Sequence, residues 1–191
     1  TIALRAPAHP VMRALLAATG FPLAAPSANR SGFISPTSAA HVLASLDGRI
    51  DMVLDGGVTT SGVESTIVAV RADGSIEELR PGPLQIGTRG ERKSIEARIE
   101  SPGQLASHYA PGKPVRLNVR DAEADEFWIG FGAVTGDCTL SASGDATEAA
   151  ANLYACLHKA ALAPHPRIAV APVPEDGIGR AINDRLRRAA A

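Results

Sequence analysis

Thr66-Ile67-Val68-Ala69-Val70-Arg71-Ala72-Asp73-Gly74-Ser75-Ile76-Glu77-Glu78-Leu79 decides what kind of fold this chain has. Asp73-Gly74 lies between two apolar-alternating runs, the pattern of a hairpin with strands over 66–70 and 75–79. Upstream, residues 50–54 read as a strand turned by Asp55-Gly56-Gly57, and residues 1–4 as a short buried strand. A helix is expected from Pro10, where proline suits the first turn, to Thr19, with Gly20 as its stop. Val11, Leu15 and Ala18 share one face of it. A second helix starts at Ser35-Pro36-Thr37, carries Ala40, Val42, Leu43 and Leu46, and ends at Asp47-Gly48. Strand, helix, loop, helix, strand and hairpin together predict an α/β sheet with mixed strand directions.

Downstream of the hairpin the character changes. Arg89, Glu91, Arg92, Lys93, Glu96, Arg98 and Glu100 make residues 87–100 a charged, solvated linker, since both signs alternate. The boundary of a second domain is expected near Lys113-Pro114. Beyond it, strands over 115–119, 127–132, 139–141 and 167–173 alternate with helices over 145–162 and 178–190. That alternation predicts a small parallel-sheet, Rossmann-like domain. Asp145 and Glu148 have capping-box spacing, and Leu153, Leu157 and Ala160 form the buried stripe. No Gly-x-Gly-x-x-Gly turn follows a strand, so the fold by itself licenses no dinucleotide site.

The 191 residues are 45% hydrophobic and 20% charged, ordinary values for a soluble globular protein. A net charge of −1 provides no global basic field for nucleic acid, so any anion site must be local. Apolar stretches fall far short of the roughly 20 residues that span a bilayer. A cytoplasmic location without membrane contact is the expectation. Cys138 and Cys156 have neither CxxC spacing nor neighbouring histidines, and they read as small buried hydrophobes rather than a disulfide or metal site.

Pro26-Ser27-Ala28-Asn29-Arg30-Ser31-Gly32, running on to Ser35-Pro36-Thr37, is poor core material but well suited to wrapping a phosphate or nucleotide. Its hydroxyls and backbone N–H groups supply hydrogen bonds, and its small side chains let the backbone come close. The competing reading is a polar loop that merely joins two elements. Three further segments bear on the choice: Asp55-Gly56-Gly57 with Gly62-Val63-Glu64-Ser65-Thr66-Ile67-Val68; Leu79-Arg80-Pro81-Gly82; and Ser101-Pro102-Gly103 with His108-Tyr109-Ala110-Pro111.

In this order and spacing they resemble the YrdC-domain family, specifically its long two-domain members, the threonylcarbamoyl-AMP synthases. Thr1-Ile2-Ala3-Leu4-Arg5-Ala6-Pro7 and the closing Gly177-Ile178-Gly179-Arg180-Ala181-Ile182-Asn183-Asp184-Arg185-Leu186 are similar to the family as well. The resemblance implies residues 1–88 as the C-terminal half of a YrdC-like catalytic domain with a twisted mixed sheet and helices. Residues 89–113 would be a linker, and 114–191 a Rossmann-like accessory domain. The start at Thr1, without methionine, suggests an N-terminally truncated member, lacking a half that bears Lys/Arg-rich nucleotide contacts.

The reaction implied joins L-threonine, bicarbonate and ATP into threonylcarbamoyl-AMP and pyrophosphate, for threonylcarbamoyladenosine formation in tRNA. ATP is a substrate, Mg2+ is expected with unknown ligands, and the downstream partner is the tRNA threonylcarbamoyl-transfer machinery; DNA binding is not expected. The resemblance assigns Thr1, Ser27, Asn29, Ser35, Arg80, His108 and Tyr109 to ATP, and Arg5, Ala25 and Ser65 to threonine. No covalent nucleophile is required.

Plainer roles stand beside these. Arg80 could form a surface salt bridge with Glu77 or Glu78, and His108 and Tyr109 could simply anchor the linker. Glu64 reads as a structural partner for an arginine. His9, His41, His158 and His165 read as surface or helix residues, and Arg185-Leu186-Arg187-Arg188 as a solvated helix end. Two other functional readings stay open, an RNA-binding YrdC-like module and a fragment inactive without its N-terminal half.

Overall fold

The computed structural model describes residues 2–86 and 105–191. Thr1, the Ser101-Pro102-Gly103 motif and most of the expected linker lie outside the described residues. The 66–79 hairpin is present: β1 (Ile67–Val70) pairs antiparallel with β2 (Ile76–Arg80), with a register shift between Ile67 and Val68. Helix α1 (Pro10–Thr19) begins on proline and ends on Gly20 at φ 70°, in the left-handed region that glycine adopts without strain. Helix α2 (Ala39–Leu46) starts later than expected, because Ser38 caps it by accepting from the His41 N–H.

The expected strands at 1–4 and 50–54 are not formed among the described residues. A strand needs a hydrogen-bonded neighbour, and no described segment forms a strand ladder with either one. Ile2 (81% exposed), Leu4 (84%) and Met52 (74%) consequently face solvent. Neither α1 nor α2 buries a residue fully: on the α1 face Val11 and Ala18 are exposed and Leu15 is half-buried.

The C-terminal unit follows its predicted pattern. Strands β3 (Val115–Arg116), β4 (Glu126–Gly130), β5 (Cys138–Thr139) and β6 (Arg167–Val170) form a parallel sheet in the order β3-β6-β4-β5. Helix α3 (Ala146–Leu162) is capped by Asp145, whose side chain accepts from the Glu148 N–H. The Glu148 carboxylate does not close the box; it accepts from Ser141 and Ser143 instead. Leu153, Leu157 and Ala160 are fully buried, as their spacing predicts. Lys113 donates to the Ala160 and Ala163 carbonyls (2.9 and 2.5 Å), which closes the far end of α3. Helix α4 (Gly179–Ala189) completes the unit.

Cys138 and Cys156 form a disulfide between β5 and α3, which corrects their reading as free buried thiols. Sequence spacing carries no information on this point, since the sheet brings the two together across 18 positions.

One hydrophobic core serves both halves of the chain. Ile34, Val63 and Tyr109 join the residues that α3 and α4 bury. Gly62 makes the approach possible: a Cβ there would come within 2.0 Å of the Ala150 carbonyl on α3, and its φ is +68°.

Candidate functional site

Glu64 is the centre of the most connected polar cluster among the described residues. Its Oε1 accepts from the Ser35 hydroxyl (2.6 Å) and the Tyr154 hydroxyl (2.9 Å). Its Oε2 accepts from Tyr154 (2.9 Å) and from Arg185 Nε (3.0 Å). Arg185 also donates to the Pro81 carbonyl (2.8 Å) and to Asp184 (3.0 Å). Ser35 belongs to the loop before α2 and Glu64 to the segment leading into β1, while Tyr154 and Arg185 reach them from α3 and α4.

The electrostatics of the cluster are balanced. Burial alone would raise the Glu64 carboxyl, but the Arg185 charge and the hydrogen bonds from Ser35 and Tyr154 outweigh it and hold it below the usual carboxylate range. Burial disfavours the Arg185 charge, yet the attraction of Glu64 leaves this cation favoured. Burial, with the Glu64 charge, pushes both tyrosine hydroxyls up. The expectation that Glu64 partners an arginine is thus met by Arg185.

Arg185 is 0% exposed, which corrects its reading as part of a solvated helix end. A legible signal existed. It lies four positions after Ala181 and four before Ala189, both on the buried face of α4. Tyr154 was missed because it sits one position beyond the apolar stripe. His158, read as a surface or helix residue, is half-buried and stacks on His41 with ring centroids 3.8 Å apart. Its Nε2 lies 3.2 Å from the Ser35 carbonyl.

Arg80 is buried, and its Nε and Nη2 both donate to the Ser65 carbonyl (3.1 and 2.9 Å). Glu77 pairs with Arg71 and Glu78 with Arg180. Gly82 lets the chain pass close, for a Cβ there would lie 2.3 Å from the Thr66 nitrogen.

Tyr109 is buried at φ 63°, with its ring 5.5 Å from that of Tyr154 and the Arg185 guanidinium 5.8 Å away. His108 packs edge-on against it, and burial lowers the His108 pKa. The linker end is secured on both sides. The Ala110 N–H donates to Gly32 O (2.9 Å), Phe33 and Ala110 form a parallel bridge, and the His108 N–H donates to Arg188 O (3.0 Å). The His-Tyr-Ala-Pro segment thus lies beside the end of the 26–32 loop.

Ser35, Ser65, Arg80, His108 and Tyr109 are brought into this one region. Ala25, Ser27 and Arg5 are exposed, and no side-chain hydrogen bond or ion pair of Arg5 or Ser27 is formed among the described residues. Asn29 donates to the Arg30 and Phe33 carbonyls, while its buried Oδ1 has no hydrogen-bond partner. A shallow apolar depression of about 160 Å3 lies elsewhere, lined by His9, Met12, Leu15 and Leu54. It contains none of the candidate residues. No group of three or more His, Cys, Asp or Glu among the described residues could hold a metal ion.

Comparison with known proteins covers the whole chain. A family described as "Telomere recombination" (Sua5, YciO, YrdC) matches residues 1–82, and "Threonylcarbamoyl-AMP synthase, C-terminal domain" matches residues 74–191. A threonylcarbamoyl-AMP synthase of Bacillus subtilis is 44% identical over 61% of this chain and 36% of its own length. One from Pyrococcus abyssi is 34% identical over 99% of this chain and 64% of its own length. The crystal structure of P. abyssi Sua5 complexed with L-threonine superposes with a TM-score of 0.80 at 31% identity, covering 97% of this chain and 63% of that one. A histidine-and-tyrosine double-alanine variant of the same protein gives 0.79. The chain therefore spans between about a third and two thirds of the length of the curated relatives it matches.

Proposed function

The chain belongs to the two-domain Sua5/YrdC threonylcarbamoyl-AMP synthase family, and from that premise we propose that it supplies part of the site that makes threonylcarbamoyl-AMP. Residues 1–88 are the C-terminal half of a YrdC-like catalytic domain; in place of the expected mixed sheet, its described part holds two helices and one antiparallel strand pair, because the strands expected at 1–4 and 50–54 find no described neighbour to pair with. Residues 89–113 are the linker, and 114–191 a Rossmann-like accessory domain. The amino group of L-threonine attacks carbon dioxide with loss of a proton, or bicarbonate with loss of water, to give a carbamate. A carbamate oxygen then attacks the α-phosphorus of ATP, and pyrophosphate leaves. Both reactants are anionic at that step, so the protein's work is to hold them in line and offset their repulsion.

The observation that carries this reading is the convergence of Ser35, Ser65, Arg80 and Tyr109 on the Glu64 cluster, behind the docked linker end. Thr1, Ser27, Asn29, Ser35, Arg80, His108 and Tyr109 are proposed as ATP contacts, and Arg5, Ala25 and Ser65 as threonine contacts. The guanidinium of Arg5 suits a carboxylate. A protein-held magnesium does not fit the described donors: Ser35, Tyr154 and Arg185 already occupy the Glu64 carboxylate, and Arg185 and Arg188 occupy that of Asp184. Mg2+ accompanying ATP would be held by the phosphates, and no step here depends on it. The product's acceptor is the tRNA threonylcarbamoyl-transfer machinery.

The test is pyrophosphate release by the complete protein that contains this chain. It is expected to require both threonine and bicarbonate. Equal release with serine or glycine would overturn the substrate assignment.

A further inference from the structure

Resting on the synthase assignment above, we propose that Tyr154 and Arg185 of the C-terminal unit are positioning residues for the substrate contacts of the catalytic half, acting through Glu64. Ser35 and Ser65 lie in separate loops, and no direct bond between them holds their spacing. Glu64 is bonded to the first and adjacent in sequence to the second. The Glu64 carboxylate is itself fixed from outside its own domain, by one tyrosine hydroxyl bridging both oxygens and one guanidinium on Oε2.

Three consequences of that geometry support the role. The short Ser35–Glu64 bond commits the Ser35 proton to the carboxylate, which leaves only hydroxyl lone pairs facing a ligand. Ser35 can then accept from a substrate O–H or N–H group but cannot donate to a phosphate oxygen without leaving Glu64. Arg185 also donates to the Pro81 carbonyl, directly after Arg80, whose own guanidinium grips the Ser65 carbonyl. One buried cation thereby ties both ends of the Ser65–Arg80 contact. Finally, Gly62 sits against the α3 backbone, so the segment leading into Glu64 is registered on the same helix that carries Tyr154.

The experiment uses the complete protein with Tyr154→Phe, which removes only the bridging hydroxyl, and Arg185→Lys, which keeps the charge but loses the fork. Arg187→Ala, on an exposed pair with Glu175, is the control. Because Tyr154 acts through Glu64, only part of its lost hydrogen bond reaches the substrate contacts, and Tyr154→Phe is expected to raise the KM for both ATP and threonine about five- to tenfold, with the control unchanged. Arg185→Lys is expected to behave likewise and not to rescue, because an ammonium cannot reach Glu64 and Pro81 in the same fixed geometry. Unchanged KM values alongside a lowered melting temperature would show a structural clasp only and overturn the proposal. A wild-type protein that releases no pyrophosphate in the presence of threonine, bicarbonate and ATP would instead sink the synthase assignment, and the positioning role with it.

Discussion

Arg80 and Arg5 are both guanidiniums, and the fold treats them in opposite ways. Arg80 is buried against the Ser65 carbonyl, whereas Arg5 stands exposed on the segment before α1. From the roles proposed above, Arg80→Ala is expected to raise the KM for ATP more than that for threonine, and Arg5→Ala to do the reverse. Steady-state kinetics with each substrate varied in turn checks this, and equal effects on both would refute the separate roles. Arg80→Ala should also destabilise the fold, because it leaves the Ser65 carbonyl without its fork; a hydrogen bond to a charged group contributes on the order of 1.5–3 kcal/mol. Arg5→Ala should leave the melting temperature unchanged.

At the scale of elements, α3 shows how much end chemistry matters. Asp145 holds the first turn and Lys113 the last carbonyls. Asp145→Ala is expected to cost about 1 kcal/mol in a denaturant titration. Helix α3 also meets α2 through the His158–His41 stack. Burial keeps both folded-state pKa values below 6.5, and the neighbouring His41 lowers His158 further. The unfolded chain then takes up protons first as the pH falls. The contribution of the pair is complete above 6.5 and declines below it. Melting temperatures measured across that range should fall on acidification, and less so for a His41→Ala/His158→Ala variant. The elements themselves were largely legible: proline and glycine marked α1, Asp-Gly the hairpin, and the apolar stripe α3. The Glu64 cluster was legible only in part. Local motifs pointed to Ser35, Ser65 and Arg80, but Arg185 and Tyr154 meet Glu64 across separations of 121 and 90 residues, which no local pattern encodes.

For the whole molecule, the contrast is between a C-terminal unit with a closed core and an N-terminal region whose apolar residues face water. The strands expected at 1–4 and 50–54 do not form among the described residues for this reason: their apolar content suits a strand, but pairing depends on neighbours that the described residues do not supply. Exposed apolar patches of this kind bind hydrophobic dyes and promote association. The isolated chain is expected to enhance the fluorescence of such a dye strongly, and Leu4→Ser/Met52→Ser to reduce the signal. A signal no higher than that of a well-packed control protein would argue that this surface is covered in solution.

The backbone bonds from Ala110 to Gly32 and from His108 to Arg188 are only two residues apart on one short segment. Residues 108–110 therefore tie the end of the 26–32 loop to the last turn of α4 through main-chain bonds alone. A fluorescent probe near Ala191 is expected to change its signal on ATP addition if that loop shifts on binding, and an unchanged signal would show that the tie is static.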